Sequence, residues 1–196
     1  MFRTRRLVLI GLLVAFSIVL ETSFAVPIIP AAPYLLYSPG DLPILFIAYL
    51  FGFAPGLIAV GIKAVVFVLI RPPDPVPLYG LLMHFLASSA FVSVFYFFSR
   101  KKKVFHVVLG LALGTLARAL VMVPANIFLT PYYLSTIQAP PGWTMEQYVS
   151  SVRKSIWPVV IPFNLIHSGA NSVLFFLMKL ALGDRLSSYL FKKDIH

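Results

Sequence analysis

The 196-residue sequence contains no cysteine, which excludes disulfides, thiolate chemistry and cysteine-based metal sites. It is also poor in acid, with six Asp and Glu against 16 Lys and Arg, and only 11% of its residues are charged. Soluble domains carry about 25% charged residues. With 60% hydrophobic residues and a mean hydropathy of +0.93, the chain reads as an integral membrane protein. Its length suits a single bundle spanning 1–196. All six acids, Glu21, Asp41, Asp74, Glu146, Asp184 and Asp194, fall outside the cores of the apolar segments. A proton- or sodium-coupled transporter usually needs an intramembrane carboxylate relay or unwound helices that offer carbonyls, and neither is legible here. The four histidines, His84, His106, His167 and His196, show no metal-ligand spacing, and no Ser-His-Asp arrangement is suggested. Gly56 to Lys63 superficially resembles a phosphate loop but lacks the adjacent Gly-Lys-Ser/Thr and lies inside a helical segment. The isolated chain is therefore expected neither to bind nor to hydrolyse ATP, and no catalytic or metal-binding residue is assigned.

Apolar segments fill most of the chain. The first runs from Leu7 to Phe24 behind Arg3, Arg5 and Arg6, and reads as a retained helix rather than a signal peptide. Residues 25–40 hold Pro27, Pro30, Pro33 and Pro39, so this connection is expected to be semi-rigid and non-helical. Asp41 opens a short second helix ending near Phe53, and a turn from Gly52 to Gly56 leads to a third helix ending near Ile70. The run Arg71 to Pro77 is expected to be a turn that cannot be helical. The fourth helix spans about 79–98 and the fifth about 104–129, with Pro124 expected to bend it. Residues 130–156 form a longer polar and aromatic segment, whose Met145–Ile156 part suits a short surface helix, and Trp157–Leu182 is the last helix. The fold expected is thus all-α, a six-helix transmembrane bundle. Arg3, Arg5, Arg6, Arg100 to Lys103, Arg185, Lys192 and Lys193 then share one side, against Arg71, Arg153 and Lys154 on the other. That bias places both termini in the cytoplasm. Although the formal charge is +10, the basic residues sit mainly at helix ends, a signal of topology and anionic lipid and not of nucleic acid.

Trp157–Leu182 is long enough to span, since about 20 apolar residues cross the hydrocarbon core, yet Asn164, His167, Ser168, Asn171 and Ser172 are set into it. At roughly 100° per residue these fall within a sector of about 140°, opposite Ile161, Leu165, Ala170, Leu174 and Leu177. Such a stripe is costly unless it faces a partner, a cavity or a ligand. Any single Asn or Ser is equally served by interhelix hydrogen bonding; for the whole stripe a ligand cavity is expected. At about 1.5 Å rise per residue, His84 lies about 8 Å below the outer start of its helix, and Asn164 and His167 roughly 10–15 Å below theirs. Arg118 and Asn126 occupy the outer half of the fifth helix, and Asp41 the outer end of the second. These depths agree on one outward-facing pocket. Lys63, nearer the midplane, is read as paired or snorkelling inward. With Arg118 and the histidines it leaves the interior net positive, which would tolerate an anion.

Several stretches, taken in order, are familiar: Asp41-Leu-Pro43, Tyr49-Leu-Phe-Gly-Phe-Ala-Pro-Gly56, Gly61-Ile-Lys63, Phe85-Leu-Ala-Ser-Ser-Ala-Phe91, Gly114-Thr-Leu-Ala117, Asn126 followed by Pro131-Tyr132, and Pro162-Phe-Asn-Leu-Ile166. Over nearly its whole length the chain resembles the riboflavin-specific substrate-binding (S) components of energy-coupling-factor vitamin transporters. That resemblance implies a multi-pass plasma-membrane protein, not an enzyme. It would capture riboflavin from outside and work with a membrane-embedded coupling subunit and two cytoplasmic ATPases. It implies that Asn126 and Asn164 contact the flavin. Gly11 and Ala15, a small-xxx-small pair where the family often has Ala at the first position, would meet the coupling subunit. His167 and His84 stand where relatives commonly carry Lys and Asn. The flavin's flat ring and hydrogen-bonding pyrimidine edge suit amides and aromatic cover, for which Tyr34, Tyr37, Tyr132, Tyr133 and Trp143 are candidates, an interfacial belt being the alternative. The candidate ligand-binding set is Leu36, Tyr37, Asp41, His84, Met122, Asn126, Asn164, His167, Ser168 and Asn171. Alternatives are an S component for another vitamin or for phosphorylated flavin (FMN) and, in a different class, a membrane enzyme acting on lipid headgroups.

Overall fold

The computed structural model describes residues 2–33, 35–70, 75–134 and 141–182. It is a helical bundle: α1 (Phe2–Ser23), α2 (Asp41–Phe51), α3 (Phe53–Ile70), α4 (Pro75–Ser99), α5 (Val104–Leu134), α6 (Met145–Ser155) and α7 (Ile161–Leu182), with a π-helical turn Ile156–Val160 joining the last two. Four of these helices, and the continuous run Met145–Leu182, are long and apolar enough to cross a membrane. By contrast α2 has 11 residues. It rises only about 16 Å, about half of a ~30 Å hydrocarbon core, so among the described residues five spans and not six meet the length requirement alone. α5 packs between α4 and α7, while α2 is enclosed by α1, α3, α4 and α7. The enclosure is reflected in burial, because Leu42 to Ala48 are buried without interruption.

Several boundaries differ from the sequence reading. α4 begins at Pro75, inside the run expected to be a turn, because proline is tolerated in a first helical turn whose N–H groups have no partner anyway. α5 continues through Pro124 and Pro131 to Leu134, five residues past the expected end. Between α2 and α3 the turn is one residue, Gly52, at φ 109°, a region that other residues rarely adopt. The proline-rich loop is non-helical as expected, but Val26–Pro27 and Leu36–Tyr37 pair as a short antiparallel ribbon, an addition to the all-α expectation. α6 starts with a capping box, Thr144 Oγ1 accepting from Gln147 N at 3.2 Å and Gln147 Oε1 from Thr144 N at 2.9 Å. Glu146 in its first turn and Arg153 and Lys154 in its last complement the helix dipole, and it buries no residue.

The bundle has two ends. One carries the start of α1 and the α4–α5 turn; the other carries the 24–40 loop and α6. A large apolar cluster of Phe46, Phe51, Phe91, Phe95, Leu111 and Phe175 with their neighbours fills the first end. Nearer the loop end a smaller cluster gathers Met83, Ala87, Met122 and Val160. Charged and amide side chains lie between.

Candidate functional site

Asp41 is the hub of these polar groups. It is fully buried at the start of α2. Oδ1 accepts from Lys63 Nζ at 3.0 Å and from Ser88 Oγ at 2.9 Å, and Oδ2 accepts from Arg118 Nη1. His84 Nε2 stands 3.5 Å from Oδ1. Lys63 also donates to Glu21 Oε2 at 3.1 Å. Side chains of α1, α2, α3, α4 and α5 thus meet in one network, and Arg118 extends it to α7 by donating from Nε to Asn164 Oδ1 at 3.2 Å.

This corrects the expectation that the interior holds no carboxylate and is net positive. Glu21 and Asp41 lie at helix termini in sequence, but both turn inward, so Lys63 and Arg118 are each matched by an acid. Burying one charge alone costs several kcal/mol, which makes this pairing the condition for carrying Lys63 and Arg118 at 2% exposure each. Gly40 makes room for it. A Cβ there would lie 2.1 Å from Glu21 Oε2, and the Gly40 carbonyl accepts a hydrogen bond from Ser17 Oγ.

The α7 stripe faces inward as expected: Asn164, His167, Ser168, Asn171 and Ser172 are all buried, while Leu174 and Leu177 are exposed. Its members differ in use. Ser172 Oγ pairs with Thr115 at 3.2 Å, Ser168 Oγ donates to the Asn164 carbonyl, and Asn171 Nδ2 donates to the Ser38 and His167 carbonyls at 3.0 Å. These are packing bonds, and the one from Asn171 ties α7 to the loop. His167 is a junction of rings, with centroids at 5.4 Å from Tyr37, 5.6 Å from Phe163 and 6.2 Å from His84. Its Nδ1 and the Asn171 Oδ1 are buried without a hydrogen-bond partner. Burial and the Asp41 carboxylate push the Tyr37 hydroxyl pKa up, so it stays a neutral donor.

Asp41, His84, Asn164 and His167 are therefore brought together, Arg118 joins them, and Tyr37 packs against His167. Asn126 and Met122 sit farther along α5. Asn126 Nδ2 donates to the Met122 carbonyl at 2.8 Å and Oδ1 accepts from Thr130 at 3.4 Å, while Met122 packs in the smaller apolar cluster. Leu36 is 41% exposed in the ribbon. Trp143 stands apart, lining an open depression of about 530 Å³ on α6 with Glu146 and Lys154. The side chains of Tyr34, Tyr132 and Tyr133 and the basic tail from 183 onward lie outside the described residues. Gly11 and Ala15 are exposed on α1, and a Cβ at Gly11 would meet nothing within 4 Å. Glu21, Lys63 and Ser88 were not among the sequence candidates. A lone cation in an apolar helix is the signal for Lys63, whereas Glu21, at a helix end in sequence, carries no local mark of its inward turn.

Comparison with known proteins gives a consistent answer. Residues 5–178 match the family model described as "ECF transporter, substrate-specific component". The riboflavin transporter RibU of Streptococcus thermophilus is 30% identical over 180 residues, covering 91% of this chain and 82% of that protein. RibU of Lactococcus lactis subsp. cremoris is 28% identical over 182 residues, covering 85% and 87%. RibU of Staphylococcus aureus is 28% identical over 181 residues, covering 91% and 90%. A solved structure of the S component of a bacterial ECF transporter superposes with a TM-score of 0.75 at 26% identity, covering 94% of this chain and 98% of the other.

Proposed function

Because the chain belongs to the substrate-specific components of ECF transporters, a family of transport subunits and not of enzymes, we propose that it is the riboflavin-binding subunit of a vitamin uptake system. It is a multi-pass protein of the plasma membrane. Riboflavin is its transported ligand and not a catalytic cofactor. The observation that carries this reading is the loop-end face of α7, where His167 packs edge-on against Tyr37 and Asn164 is held by Arg118, in a chain whose relatives are riboflavin transporters. An amide offers both a donor and an acceptor to a flavin's pyrimidine edge, and the rings of Tyr37, Phe163 and His167 suit its flat surface. Leu36, Asp41, His84, Met122, Asn126, Ser168 and Asn171 complete the proposed lining, some by contact and others by holding the contacts in place. The pairing of Lys63 and Arg118 with acids removes the support that a net-positive interior lent to an anionic ligand.

In the same reading the chain forms one membrane unit, with six membrane-embedded segments once α2 is included and both termini in the cytoplasm, the side favoured by Arg3, Arg5, Arg6 and Arg100 to Lys103. Gly11 and Ala15 face outward to a membrane-embedded coupling subunit, itself driven by two cytoplasmic ATPases. The test of ligand identity is direct. The purified chain should carry a yellow, fluorescent molecule or, after its removal, quench added riboflavin's fluorescence saturably. A folded preparation that is colourless and leaves that fluorescence unchanged would refute the reading.

A further inference from the structure

Arg118 is the bulkiest of the fully buried side chains, and the proposed reading gives it no contact with ligand. A guanidinium can only donate hydrogen bonds and a peptide carbonyl can only accept them. Arg118 Nε donates to Asn164 Oδ1 at 3.2 Å, and Asn164 Nδ2 donates to the Val160 carbonyl at 2.8 Å. Turning the amide over would set N–H against N–H on one side and oxygen against oxygen on the other. One orientation is therefore enforced. In it Asn164 keeps one N–H and one Oδ1 lone pair uncommitted. Arg118 is itself held by Asp41 and, at 3.4 Å, by Ser88 Oγ.

We propose that Arg118 is a specificity-determining positioning residue: by fixing the Asn164 amide it presents a paired donor and acceptor that select a ligand edge of the form –C(=O)–NH–. The inference rests on the reading of riboflavin as ligand and of Asn164 as its contact, and it adds the residue that decides which atoms Asn164 offers. Lysine retains the charge opposite Asp41 but lacks the planar fork that serves Asp41 and Asn164 together. With Lys at 118 the Val160 carbonyl alone holds the amide, its orientation is fixed from one side only, and selection for the edge weakens.

The experiment compares riboflavin with riboflavin methylated at its imide nitrogen, using fluorescence quenching on the purified chain. The parent should discriminate against the methylated compound by about 10-fold or more, the cost of one buried hydrogen bond. Asn164→Ala should weaken riboflavin binding roughly 5- to 150-fold. Arg118→Lys should bring the two ligands to within about 3-fold of each other, and adding it to Asn164→Ala should have no further effect. If Arg118→Lys does not fold, the charge-balanced pair Asp41→Asn with Arg118→Gln reads the same ratio. Equal weakening of both ligands in these variants, or additive losses with Asn164→Ala, marks a purely structural Arg118 and overturns the proposal. If Asn164→Ala binds riboflavin as tightly as the parent, the ligand contact is misplaced and the proposal falls with it. If the parent does not bind riboflavin at all, the underlying reading has failed, and the first titration separates that case from the others.

Discussion

Toward the end that carries Arg6 and the Arg100–Lys103 turn, the bundle is filled with rings and branched chains; toward the end that carries the 24–40 loop come charges and amides, with only a smaller apolar cluster beside them. In the first half Phe175 packs against Phe46, Phe95 and Tyr49 with ring centroids at 4.6, 5.1 and 5.7 Å. Inside a bilayer such contacts gain little from leaving lipid, since lipid tails are also apolar, and their stabilisation comes from close packing. Many similar rings and chains share it, so no single one is indispensable. In the second half most polar side chains are tied to one or two named partners, His167 Nδ1 and Asn171 Oδ1 being exceptions, and the low dielectric makes every missing partner expensive. The aromatic half tolerates change of shape, whereas the polar half tolerates little change of charge. The proposed ligand-binding residues Asn164 and His167 lie in the second half.

The largest expected effect follows from Asp41→Ala. It leaves Arg118 without an acid and Lys63 with Glu21 alone, and breaking a buried pair in this way costs about 3–5 kcal/mol. Thermal unfolding in detergent measures it; an unchanged midpoint would mean that the aromatic half alone holds the bundle. Next comes Asn126→Ala, which should weaken riboflavin binding roughly 5- to 150-fold while shifting the unfolding midpoint far less than Asp41→Ala. Equal binding by variant and parent would remove Asn126 from the pocket. Phe46→Leu, in the aromatic half, should cost under about 1.5 kcal/mol. A loss as large as that of Asp41→Ala would erase the contrast between the halves.

The smallest effect on the isolated chain is expected at neither half but on the outer face of α1. Gly11→Leu or Ala15→Leu should change neither stability nor ligand affinity, since both positions are exposed and a Cβ at Gly11 meets nothing. Co-purification with the coupling subunit should nevertheless fall, because close helix approach needs small side chains. If assembly survives and ligand binding is lost, α1 has the opposite role.

Composition alone settles the solvent. A chain that is 60% hydrophobic and 11% charged reads as a membrane protein whatever its fold, because the reading depends only on local content. The inward stripe of α7 was also legible, because period 3.6 assigns Asn164, His167, Ser168, Asn171 and Ser172 to one face without knowledge of a neighbour. The helical course of Pro75–Pro77 and Pro131 is not legible locally, since proline's penalty depends on its place in the helix and the packing around it.

What periodicity cannot carry is how helices are rotated and raised against one another. Lys63 meets Asp41 across 22 residues of chain and Glu21 across 42, and Arg118 meets Asn164 across 46 and Asp41 across 77. Each of these residues, taken on its own helix, is only an isolated charge or amide at an approximate depth. The tertiary arrangement turned two cations and two acids into a balanced network and gave Asn164 its orientation. The reason is that a hydrogen bond requires a match to within a few tenths of an ångström, whereas a one-residue uncertainty in helix position already amounts to about 1.5 Å of rise and 100° of rotation.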